Sequence, residues 1–148
     1  MKARRLWTIL ILSSAVLPVR SQATRIGAGE AKSLVHVVLR HEKIHLSPHY
    51  CSIERLDKDG KPFVPNYYSF SVTCDFPNAA ATTPFGIYVV SPRNGNVWEF
   101  NRCVWFRFAE LSRLQEGIAS RTHATERSEA KYREGDGMHK GQVMTSDC

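Results

Sequence analysis

Hydrophobic spacing along this chain switches between two periods, and each switch marks an element. From Ala31 to Leu46 the apolar residues Leu34, Val35, Val38 and Leu39 recur at helical spacing, while Glu30 and Lys32 fall off that stripe and Pro48 stops it. One amphipathic helix is expected there. Beyond Pro48 the period drops to two: Cys51 and Ile53 alternate with Ser52 and Glu54, and Tyr68, Phe70, Val72 and Cys74 alternate with Ser69, Ser71 and Thr73. These are the signatures of strands with one wet face. Ile87 to Val90 and Val97 to Phe100 supply two more strands, and Asn94-Gly95 between them has the residues of a tight type I′ hairpin turn. Val104, Phe108, Leu111, Leu114 and Ile118 then return to helical spacing, with Gly117 weakening the end of a second helix.

Turn chemistry fills the gaps. Asp57-Lys58-Asp59-Gly60 lacks the D-x-D-x-D-G spacing of a calcium loop and reads as a plain turn, followed by Pro62 and Pro65 on the way into the next strand. Asp75 to Pro84 reads as an exposed loop. From Ser120 onward the chain is polar and charged with almost nothing to bury, the composition of a disordered tail. The expected fold is α+β, an N-terminal helix packed on an antiparallel sheet of about four strands with a short C-terminal helix. The corresponding division is a leader over 1–23, one domain over 24–120 and a polar tail over 121–148.

The leader changes the charge balance. Lys2, Arg4 and Arg5 precede an apolar run from Leu6 to Leu17, then Pro18 and the small-x-small exit Ser21-Gln22-Ala23, the layout of a secretory signal peptide. That run is shorter than the roughly twenty residues a helix needs to cross a bilayer. The mature chain is expected to begin near Thr24, outside the cytoplasm, with no membrane span. Without the leader's four basic residues, sixteen Lys and Arg face fourteen Asp and Glu. A near-neutral domain lacks the concentrated basic field that nucleic acid requires, so that class of partner is set aside.

All four cysteines, Cys51, Cys74, Cys103 and Cys148, lie after the leader, where an oxidising compartment permits up to two disulfides in any of three connectivities. They lack the close C-x-x-C pairs of a structural zinc site. In a simple meander, counting outward from the turns sets both Cys74 and Cys103 in the row of Gly86. A middle strand would hold them about 10 Å apart, beyond a disulfide's reach of roughly 7 Å between Cα atoms. A Cys74 to Cys103 bridge therefore requires converging strand ends or another strand order, and it stands as an expectation on that condition.

One motif names a chemistry. His41-Glu42-Lys43-Ile44-His45 matches H-E-x-x-H, in which two histidines one helical turn apart hold zinc and the glutamate acts as general base on metal-bound water. His41 and His45 continue the Leu34 and Val38 stripe, so the expected helix would aim them at the core side. Over these five residues the chain resembles the zincin metalloproteases. It departs from them at charged Lys43 and at Pro48, and its third-ligand candidates, His36, His49 and Glu54, have no family-like context. No G-x-S-x-G elbow or phosphate-binding glycine loop accompanies the motif.

Aromatics concentrate between Tyr67 and Phe108, and strict alternation places Tyr67 on the face opposite Tyr68. An exposed subset including Tyr67, Trp98 and Trp105 would form a protein recognition surface, because Trp and Tyr dominate binding hot spots. The stretch Ile87-Tyr88-Val89-Val90-Ser91-Pro92-Arg93-Asn94-Gly95-Asn96-Val97-Trp98-Glu99 is similar in cadence to the Y-x-V-x-x-x-x-G-x-V-W hairpins of bacterial periplasmic proteins, including some immunity proteins. In outline the chain resembles small secreted helix-on-sheet proteins of the cystatin-like and PepSY-like kind. Two readings follow. The first is a secreted or periplasmic, non-catalytic module without a cofactor that binds another extracytoplasmic protein as an inhibitor or immunity protein. The second is a small zinc-dependent hydrolase with His41 and His45 as ligands and Glu42 as base.

Overall fold

The computed structural model describes residues 24–129 except His45, Asp59, Asn78, Ala79 and Ala80. The expected leader, and the expected tail beyond Glu129, lie outside the described residues. Helix α1 runs Ala28–His41 and α2 runs Ala109–Thr122. The strands are β1 (Cys51–Arg55), β2 (Asp57–Lys58), β3 (Lys61–Pro62), β4 (Tyr68–Cys74), β5 (Thr83–Val90), β6 (Val97–Glu99) and β7 (Val104–Trp105). Five of them form an antiparallel sheet in the order β1-β4-β5-β6-β7, and β2 pairs with β3 as a separate ribbon.

Alternation decides what each face of the sheet meets. Phe70 and Val72 of β4, Tyr88 and Val90 of β5 and Val97 of β6 point toward the helices, where they pack with Ala31, Leu34, Val35, Val38 and Leu39 of α1 and Leu111 and Ile118 of α2. Ion pairs at both ends, Arg40 with Glu110 and Arg121 with Glu30, show that the helices run antiparallel. These pairs are solvent-exposed and set orientation more than stability. On the opposite face Val89 and Trp98 pack with Val64 and Tyr67, which arrive from the segment between β3 and β4. That segment is pinned by the Val64 amide, which donates to the buried Ser69 hydroxyl at 3.3 Å.

The α+β class holds, with one more strand in the sheet than expected. Val104 and Trp105 pair with Glu99 and Trp98 as edge strand β7, and Phe108 caps α2. Leu114, counted in the helical stripe, is exposed, and the buried face of α2 is Leu111, Ile118 and Thr122. The β5–β6 connection is wider than the expected two-residue turn. Val90 pairs with Val97, Ser91 and Asn96 close the loop with a 2.9 Å bond from Ser91 N–H to Asn96 C=O, and only Gly95 takes a positive φ, +72°. A type I′ turn needs both central residues there. Gly95 is further constrained because a Cβ would stand 2.7 Å from Ile118 Cδ1.

The wider loop shifts the register, so Tyr88 faces Glu99 and Gly86 has no partner at Cys103. The expected Cys74 to Cys103 bridge is overturned: Cys74 is bonded to Cys51, its register partner on β1, with Cα atoms 4.0 Å apart. The strand order makes this necessary, since β5 and β6 lie between β4 and the turn that carries Cys103. Cys103 is also disulfide-bonded, to a partner outside the described residues.

The domain does not stop at residue 120 either. Thr122 and Glu129 are buried, and residues 126–129 form a helical turn clasped to the β5–β6 loop. Arg93 pairs with Glu129 at 3.3 Å and donates to Ser128 Oγ at 2.9 Å, and Ser91 Oγ donates to Glu129. Among the described residues, no helix is long and apolar enough to cross a membrane.

Candidate recognition surface

The helix expected to carry H-E-x-x-H stops inside the motif. α1 ends at His41, Glu42 is its C-cap and Lys43 adopts φ +57°, a left-handed conformation that breaks the register a second ligand one turn later would need. His45 lies outside the described residues. His41 is exposed, not turned to the core, and its ring stacks on Phe108 with centroids 3.7 Å apart. His36 on α1, Glu42 at its C-cap, His49 in the following loop and Glu54 on β1 are all exposed, and among the described residues no three His, Cys, Asp or Glu side chains gather where a metal ion would sit.

The three aromatic candidates do come together, as a ladder across the far face of the sheet. Tyr67 meets Trp98 edge-on at 6.1 Å, Trp98 stacks on Trp105 at 6.2 Å, and the Arg107 guanidinium lies over Trp105 at 3.8 Å. Register places Val89, Trp98 and Trp105 in one cross-strand row. Tyr67 and Trp98 are buried, so only Trp105, half-buried, and Arg107, exposed, present the ladder to solvent. Phe63, exposed, extends it through an edge contact with Phe100 at 5.3 Å. An open groove of about 720 Å³ lies alongside, lined by Trp105, Arg107, Asn94, Asn96, Gln115 and Glu116.

At the same end of the sheet a carboxylate is buried without a catalytic partner set. Glu99 follows Val97 on the helix-facing side of β6 and is 1% exposed. Its Oε2 accepts from the Arg102 backbone N–H at 2.8 Å and from Arg102 Nε at 3.0 Å, while Oε1 accepts from the Asn101 and Ile87 amides at 3.3 and 3.4 Å. The hydrogen bond to Glu99 holds the Arg102 pKa above its ordinary value, with the surrounding negative charge adding to it. Four donors compensate the burial that an ionised carboxylate otherwise could not bear. The result is a turn over residues 100–103 fastened from below and exposed above.

Sequence reading missed Glu99, Arg102 and Arg107. The signal for Glu99 was present: with period two, a residue two beyond the apolar Val97 shares its face, so a lone Glu there is a buried carboxylate in need of donors.

The fold and this surface define a small disulfide-bonded α+β protein that presents a stiffened cationic and aromatic edge, the anatomy of a binding protein. The family described as "T6SS, Immunity protein Tgi2PP" matches residues 26–130, and the chain belongs to that family. It is also similar to a chain in the structure of a type VI secretion system effector-immunity complex from Pseudomonas protegens, at 32% identity and a TM-score of 0.70, over 85% of this chain and 100% of that one. Among curated proteins none matches.

Proposed function

We propose that this protein is the immunity partner of a type VI secretion effector, which it binds and neutralises outside the cytoplasm. The family match over residues 26–130 carries this reading, and the likeness to an effector-immunity complex supports it. The Cys51–Cys74 disulfide and the leader-like first residues agree with a periplasmic site of action, since disulfides persist in that compartment. No observation favours the metallopeptidase alternative. Protection is stoichiometric binding, and the chain's own groups need only position and hold a surface.

The test is co-expression. Type VI effectors, that of the Pseudomonas protegens complex among them, are directed to the periplasm of a susceptible bacterial host with and without this chain. Rescue by the full chain, together with co-elution of the pair at one-to-one stoichiometry, is the expected result. Failure to bind or rescue against every effector in that panel ends the reading.

A further inference from the structure

We propose that the turn 100–103 is the docking element for the effector, with Arg102 as its anchor against a carboxylate on an acidic surface of that partner. This rests on the immunity reading above. The protein commits two unusual residues to the conformation of this one turn. Glu99 is a carboxylate removed from water, and Gly86, two residues before its strand partner Tyr88, has φ +147° and no room for a side chain, since a Cβ would stand 2.7 Å from Glu99 Oε1. Without that glycine the carboxylate could not reach the turn. Cys103 adds a positive φ of 56° and a disulfide at the turn's far end.

What this stiffened turn displays is specific. Residues 101–104 are all exposed, including Val104 at 38%. Arg102 uses only Nε to reach Glu99; its side chain is 56% exposed, and among the described residues its two Nη groups donate to nothing. A guanidinium gripped at Nε leaves an outward pair of N–H donors in fixed geometry, the fork that matches a carboxylate. From Glu99 to Phe108 the chain carries two exposed arginines against one buried carboxylate, so the charge this edge shows to solvent is positive and complements negative charge. Phe63 and Trp105 flank it with apolar surface, and Arg with Trp is the composition of interface hot spots. Fixing these groups before association removes part of the ordering cost that binding otherwise bears.

The experiment measures affinity and association rate for an effector that the full oxidised chain has been shown to bind. Arg102→Ala is expected to weaken binding about thirty-fold or more, and Arg102→Lys, which keeps the charge and loses the fork, by an intermediate factor. Because Arg102→Ala also removes a partner of Glu99, Arg107→Glu serves as an independent variant: exposed Arg107 makes no bond to Glu99, and the substitution places negative charge on the same edge, so it should slow association and weaken binding with little change in melting temperature. Affinity within about threefold of the parent for both variants overturns the proposal. So does a loss traced by light scattering to altered self-association, which would make the edge a contact between copies of this chain. A parent that binds no effector ends the immunity reading itself, whereas a binding parent with unaffected variants ends only the role of the turn.

Discussion

The close approach of Glu99 to Gly86 sets the cost of the stiffened turn at the level of single atoms. Alanine at 86 must adopt a φ that L-residues rarely take while its Cβ drives a four-times-bonded carboxylate from its place. Gly86→Ala is therefore expected to destabilise by about 2–4 kcal/mol, read as a lowered urea midpoint. Tyr88, facing Glu99 across the strands, presents the opposite case. It is fully buried, and among the described residues its hydroxyl has no hydrogen-bond partner. Burial raises its pKa above the ordinary 10.0, Arg102 opposes that shift, and Glu99 and Glu42 reinforce it. The folded state therefore keeps its proton where the unfolded chain has lost it. The associated stability is fully present below pH 10.0 and is lost as pH rises through the folded value. Tyr88→Phe should hold or gain about 1 kcal/mol at neutral pH and flatten the alkaline limb of stability against pH. A lower neutral-pH midpoint would mean that the hydroxyl has a partner that matters.

Elements show where period alone falls short. The stripe Leu34, Val35, Val38, Leu39 identified α1 correctly, because burying one face fixes which residues repeat. The apolar pattern overruns its end, since Ile44 and Leu46 are apolar for another reason: they pack against the same core from the loop after the helix. That overrun produces the apparent zinc helix, whereas α1 stops at His41 and Lys43 turns left-handed. Zinc added at tenfold excess over protein is expected to leave the melting temperature within about 1 °C, checked by calorimetry with and without chelator. At the other edge of the sheet, β1 is tied to β4 by a disulfide closing a 23-residue separation. Replacing Cys51 and Cys74 together with serine should cost about 3 kcal/mol through the freer unfolded chain. Because β1 and β7 occupy opposite edges, effector affinity measured well below the melting temperature should change little.

At the scale of the molecule, legibility follows the range of the interactions involved. Helix-on-sheet architecture was readable because periodicity is local, and the binding role was anticipated from aromatic content and hairpin cadence. Strand order, the Cys51–Cys74 pairing and the face taken by Trp98 were not, because each depends on which distant segment lies alongside. Residues 121–129 show this most directly. Their composition is that of a tail, yet Thr122 bonds to the Arg93 carbonyl, Arg93 reaches Ser128 and Glu129, and Ser91 donates to Glu129. A polar segment is held by polar partners, a lock that hydrophobic patterning cannot register. If that lock closes the domain, Glu129→Ala should cost about 2–3 kcal/mol, because it strips an acceptor from buried Ser91 and a counter-charge from half-buried Arg93. Glu129→Gln, which keeps an acceptor oxygen, should cost about half as much. If 121–129 were solvated tail, both substitutions would leave the urea midpoint unmoved, and the comparison of the two variants separates the lost charge from the lost hydrogen bond.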